Sequence, residues 1–178
     1  MTSGATFELS SISAAIVIAR RMPASVRIWL EVAHHANFRI GGWAFVRLNA
    51  GQVSGTAGGA RRFDLERTSL AAIAAALAGL AQGAGVELQT SSPQVLAIPG
   101  RITAALAGED APMENLDLWA QATTALRRVR LVTRRAALAP GGPTAFAAAW
   151  ADFARDRAKD KGTFTAVIPK PNLAKAGV

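Results

Sequence analysis

A chain of 178 residues is long enough for one domain with a sizeable core, and it has no cysteine, which excludes disulfides, thiolate zinc sites and cysteine nucleophiles. Its only histidines are His34 and His35, which excludes a histidine-rich metal centre, and hydrophobic residues at 51% suit packed helices and sheet. The net charge is +8, and no apolar run approaches the roughly 18–20 residues of a membrane span. Residues 12–18 are apolar, but Arg20 and Arg21 follow them, the reverse of secretory order, so the expectation is a cytoplasmic protein with no membrane partner.

Residues 1–24 show no clear period and read as an N-terminal extension, part helix or strand, ending near Pro23. Residues 25–33 alternate, with Val26, Ile28, Leu30 and Val32 on one face, which is a strand pattern. Gly41-Gly42 opens a second strand over 43–48, and Asn49-Ala50-Gly51 turns into a third over 52–62, weakened by its glycines. Asp64 is placed to cap a helix over 65–81, which Gly83 and Gly85 stop. Residues 86–90 form a short strand. Ser92-Pro93 starts a further helix, which Pro99-Gly100 is expected to keep short or broken. A helix over 113–127, a strand over 129–133, a loop over 136–143 and a last helix to about Lys159, capped by Thr144, complete the pattern. Beyond Gly162 the composition reads as a mobile or draped tail. Three strands followed by alternating elements predict a mixed α/β sheet covered by helices. The expected organisation is an extension (1–24), one domain (25–160) and a basic C-terminal tail (161–178).

Charge is unevenly spread. Residues 1–126 hold nine Lys/Arg against nine Asp/Glu, whereas residues 127–178 hold eleven against three. Such asymmetry points to a polyanion, either nucleic acid or an acidic protein partner, although a merely soluble basic surface has the same composition. The candidate nucleic-acid-binding residues are Arg127, Arg128, Arg130, Arg134 and Arg135 around the fifth strand, continued by Arg155, Arg157, Lys159 and Lys161 on the last helix. Phosphate binding of this kind weakens steeply with salt. Aromatic support is thin: there is no tyrosine, and Trp29, Trp43, Trp119 and Trp150 suit the core. Backbone or shape recognition is therefore expected rather than base stacking.

Four local sequences occur in a telling order: Gly41-Gly42-Trp43-Ala44, then LAAIAAAL from Leu70, VELQTSSPQV from Val86, and Asn115-Leu116-Asp117-Leu118-Trp119. Together they resemble the type 1 ribonuclease H family over roughly residues 26–158. They correspond to the start of its second strand, its first helix, its fourth strand with the following helix start, and the Asp-Leu-Trp segment before its fifth strand. The resemblance implies a ribonuclease H-like five-stranded mixed sheet flanked by helices. Family enzymes cut the RNA strand of an RNA–DNA hybrid with two divalent metals about 3.5–4 Å apart, which only clustered carboxylates can hold.

Carried over position by position, the resemblance puts Glu31 at the first carboxylate, one methylene longer than the usual Asp, and Ser69 at the second. It puts Ser91 at the third and Ala151 at the fourth, with Asp152 beside it. The family's loop histidine has no counterpart, since nothing after His35 is a histidine. The resemblance thus implies a degenerate member with no metal or other cofactor, Mg²⁺ or Mn²⁺ entering only if Glu31, Glu66 and Asp152 form a displaced site. Glu31 lies opposite the apolar face of its strand and reads as an exposed glutamate without function. His34, His35, Arg61, Arg62 and Arg67 fall where family members meet substrate, and ordinary solvation explains them equally well.

Three functions follow. The first is a catalytically inactive protein binding RNA, RNA–DNA hybrid or duplex through its basic C-terminal third. The second is an assembly scaffold, which an exposed apolar patch or an ordered tail would favour over nucleic acid. The third, a divergent hybrid endonuclease, requires three convergent carboxylates.

Overall fold

Strands β1 (Val26–His35), β2 (Ile40–Asn49) and β3 (Gln52–Arg61) form an antiparallel meander, as their alternating patterns and tight turns require. The structure is a computed structural model that describes residues 26–109 and 111–178, so the expected N-terminal extension lies outside the described residues. β4 (Gly85–Thr90) pairs with β1 in parallel, and β5 (Arg130–Arg135) pairs with β4 in parallel. A sixth strand, β6 (Phe164–Val167), runs antiparallel to β3, giving the order β5-β4-β1-β2-β3-β6. The sheet is mixed, as expected, but six-stranded rather than five-stranded.

Helices α1 (Leu65–Leu77), α2 (Pro93–Leu106) and α3 (Leu116–Arg127) cover one face, over a core of Ile28, Leu30, Leu70, Ile73, Leu88 and Ile98. Helix α4 (Pro143–Lys161) lies on the other face against β1, β2 and β3. Its inward stripe, Ala147, Ala151, Ala154 and Ala158, repeats at three and four residues, and small side chains let the helix lie close to the sheet. The Gly41-Gly42 pair explains how β2 fits between two layers. A Cβ on Gly41 would collide with the Thr68 side chain of α1, and one on Gly42 with the backbone of Ala151 and Arg155 in α4.

Asp64 caps α1 as predicted, its carboxylate accepting from the Arg67 N–H at 2.6 Å. Helix α2 departs from expectation by running unbroken through Pro99-Gly100. Val95, Ile98 and Ile102 bury one face of it on the core, and that burial outweighs the lost hydrogen bond at Pro99. Thr144 is a buried residue inside α4 rather than its cap, which falls to Gly142 with Pro143 in the first turn. The segment expected to be a mobile or draped tail carries β6 and a short helix, α5 (Lys170–Leu173). Ile168, Leu173 and Ala176 are buried there beside Trp29 and Val46.

Candidate nucleic-acid interface

β1 is covered on both faces, so alternation alone does not expose its second side. Glu31 shares the α4 face with Trp29, which packs with Ala44 opposite Glu31 on β2, and is only 3% exposed, correcting the expectation of a solvated strand glutamate. Both carboxylate oxygens are occupied: Oε1 accepts from the Ser91 N–H and Oε2 from the Ser91 hydroxyl at 2.8 Å. Burial pushes the Glu31 carboxyl above the usual carboxylate range, and the hydrogen bonds from Ser91 and Thr90 offset this only in part. The Ser69 hydroxyl donates to the Leu65 carbonyl one turn back on α1, and Ala151 packs in the α4 layer.

Glu66 is engaged by residues other than those around Glu31. Arg101, the Asn115 amide and the Trp119 indole donate to it at 2.5, 3.0 and 3.4 Å, which ties α1 to α2 and α3. Burial works to raise its pKa, but those donors and the Arg101 charge prevail and hold it below the ordinary glutamate range. Asp152 is exposed and paired with Arg155 at 2.8 Å. The trio Glu31, Glu66 and Asp152 is therefore not assembled, and among the described residues no three His, Asp or Glu side chains gather to hold a metal.

The cations are distributed by the topology. The carboxyl ends of β1, β4 and β5 point the same way as the β1–β2 turn and the end of β3 but are not level with them: Gln89 pairs with Trp29, so Thr90 and Arg135 lie beside Leu30, roughly 17 Å short of His35 and the turn at about 3.3 Å per residue. Arg134 and Arg135 sit at the carboxyl end of β5, whereas Arg130 pairs with Gly85 at the other end of that strand, roughly 17 Å away at about 3.3 Å per residue. Arg127 and Arg128 precede Arg130 and stay at the far end with it. The sequence cluster is thus split in two. Nor do the α4 cations continue it along one edge, because α4 covers β1, β2 and β3 while β5 lies at the opposite margin. Arg155 is neutralised by Asp152 and Asp156, and Arg157 packs over Phe164. Arg134 is met by Glu87 at 2.9 Å, and Arg130 donates to the Gly83 carbonyl.

The C-terminal end of α4 reaches the end of β3 and the β1–β2 turn, beyond the level of Arg135. Arg61, at the end of β3, donates to the carbonyls of Ala158, Lys159 and Asp160 and so caps α4. Arg67 forms a two-pronged pair with Asp117, and His34 Nε2 lies 3.1 Å from the Phe63 carbonyl. Arg39, Arg62, Lys159 and Lys161 remain exposed at this end, and Arg135 at the end of β5, with no ion pair among the described residues. Arg135 stands apart from the others, four strand spacings or about 19 Å across the sheet from β3 and roughly 17 Å back along the strands. Arg39 and Phe38 were not singled out from the sequence, although an aromatic and an arginine at a hairpin tip beside His35 were the available signal.

Solved structures that share this architecture include two RNase H proteins. LC9-RNase H1, described as a type 1 RNase H with the type 2 active-site motif, superposes with a TM-score of 0.57 at 16% identity, over 87% of this chain and 86% of that one. The N-terminal RNase H domain of Rv2228c from Mycobacterium tuberculosis, solved fused to maltose binding protein, gives 0.51 at 18% identity, over 75% and 95%. The chain has a ribonuclease H-like fold. No protein-family model and no curated protein sequence matches it.

On a ribonuclease H-like fold, a two-metal centre needs carboxylates converging on the end of the sheet. The residues here do not fit one. Both Glu31 oxygens are taken by Ser91, Ser69 is committed to its own helix, Ala151 has no ligand atom, and Glu66 and Asp152 are held by arginines. Of the four tryptophans, Trp29, Trp43 and Trp119 are buried and Trp150 is half-buried. No helix among the described residues is long and apolar enough to cross a membrane.

Proposed function

We propose that this protein binds nucleic acid at the carboxyl end of β1, β4 and β5 and does not cut it. One observation carries the reading: exposed cations without ion pairs among the described residues, Arg39, Arg62, Lys159 and Lys161, gather about the β1–β2 turn and the end of β3, while Arg135 stands farther back near Glu31, which is buried and bonded to Ser91. Open α/β sheets take ligands outside the carboxyl ends of their strands. That solved structures of this architecture include two RNase H proteins supports nucleic acid as the ligand class. The test is binding of labelled RNA–DNA hybrid, double-stranded RNA and duplex DNA at two salt concentrations with Mg²⁺ or Mn²⁺, followed by a denaturing gel. Salt-sensitive binding with intact strands is expected. Cleavage abolished by Glu31→Gln would overturn the reading in favour of a divergent nuclease.

A second reading, an assembly scaffold, has its own observation. Phe146, Trp150 and Phe153 form an aromatic ridge on α4 with ring centroids 6.2 and 5.5 Å apart, and Phe153 is 51% exposed. The ordered C-terminal segment favours this reading by its order, yet packs on its own sheet rather than extending to a partner. Absence of nucleic-acid binding at low salt, with self-association lost on Phe153→Ser in light scattering, would select it.

A further inference from the structure

The four-residue turn between β1 and β2 carries an aromatic side chain that the core does not use. Phe38 is 60% exposed, although burying such a ring contributes roughly 1.5–3 kcal/mol wherever a fold has room for it. The turn beneath it is fixed rather than loose. The Arg39 N–H donates to the Ala36 carbonyl at 3.1 Å, the Phe63 N–H to the Arg39 carbonyl at 2.9 Å, and His34 rests on the Phe63 carbonyl. The His35 ring lies beside Phe38 with centroids 4.6 Å apart, tilted by 48°, and the Lys159 ammonium sits 5.6 Å from the Phe38 centroid. Arg39 adjoins Phe38 in the turn, and Arg62 follows Arg61, which pairs with the start of β2.

We propose that Phe38, with His35, is a stacking platform for an unpaired base, and that this sheet end takes single-stranded nucleic acid in preference to duplex. The inference rests on the nucleic-acid reading above and names its substrate class. An aromatic face set among cations is how proteins hold single strands, because every base has a π-face and every nucleotide a phosphate. In a duplex the base faces are already stacked on one another, so an exposed ring gains nothing there. A base entering over Phe38 takes the place of the Lys159 ammonium, which turns to the adjoining phosphate together with Arg39 and Arg62. The fixed turn lowers the ordering cost of binding.

The experiment measures fluorescence anisotropy of labelled oligouridylate and oligothymidylate, and of each annealed to its complement, with the wild-type protein, Phe38→Ala and Phe38→Trp at low salt. Circular dichroism melts confirm that each variant is folded, which the exposure of Phe38 leads one to expect. The wild type should bind single strands several-fold more tightly than duplex. Phe38→Ala should weaken single-strand binding by about tenfold, within the range reported for loss of one stacking ring, and Phe38→Trp should restore it. The RNA and DNA arms establish which single strand is favoured. Unchanged single-strand affinity in Phe38→Ala, or equal losses for strand and duplex, would overturn the platform while leaving nucleic-acid binding intact. Failure of the wild type to bind any of these probes would overturn both.

Discussion

At Glu31 the chemistry of one side chain sets how the centre of the sheet behaves. Its raised pKa means that, from the ordinary glutamate range up to the higher folded value, the unfolded chain has lost a proton that the native protein keeps. The folded state binds more protons there, so the contribution of Glu31 to stability falls as pH rises through that window. Glu31→Gln can keep both bonds to Ser91, its carbonyl accepting from the N–H and its amide donating to the hydroxyl, and it removes the buried charge. Urea unfolding across pH should show the variant gaining on the wild type at neutral pH, with no gain below the glutamate range; parallel profiles would refute this. Glu31→Ala strands the Ser91 N–H and should cost about 1–3 kcal/mol below the glutamate range, and less as pH rises and the wild type loses the contribution of the protonated group. Gly42→Ala pushes a methyl into the α4 backbone and should destabilise by at least about 1–3 kcal/mol in thermal melts, whereas Gly51→Ala meets open space and is strained only by its positive φ of 77°.

Among the elements, α2 and β6 show local rules yielding to packing. Pro99 interrupts the α2 hydrogen-bond ladder at a position that is not fully buried, so Pro99→Ala should raise stability, by up to about 3 kcal/mol in denaturant titrations. β6 closes the edge of β3, which is rich in glycine and would otherwise present unpaired backbone groups. A chain ending at Lys161 loses that edge cover and the buried Ile168 and Leu173, at about 1.5–3 kcal/mol each. It should melt at a markedly lower temperature and aggregate on heating, measured by light scattering beside the intact protein. The order and type of the elements from β1 to α4 were legible in the sequence because their periods and breakers are strong: alternation in β1, Asp64 before α1, Ser92-Pro93 before α2. β6 was not, because four residues flanked by lysines and prolines have no period to read, and an open neighbouring edge is what makes them a strand.

For the molecule as a whole, the spread of charge governs binding. If Arg39 and Arg62 each neutralise a phosphate, replacing both with alanine should lower the slope of log affinity against log salt by about 0.7 per contact for single strands. Chelating divalent cations should leave wild-type affinity unchanged, because the carboxylates that would hold such ions do not converge. Anisotropy titrations with and without a chelator test both expectations, and an affinity that collapses on chelation would point to a metal-dependent site. Composition and motif spacing, read alone, determined the mixed α/β class, the start of the second strand at Gly41-Gly42, the scarcity of acids at the resembled catalytic positions and the excess of positive charge towards the C terminus. Only the tertiary structure decided that Glu31 is buried, because strand alternation says which residues share a face and not what covers the other. It also decided which cations stand together: a strand advances about 3.3 Å per residue, so Arg130 and Arg135, close in sequence, lie at opposite ends of β5, while Arg39, Arg62 and Lys159, far apart in sequence, meet beside the β1–β2 turn.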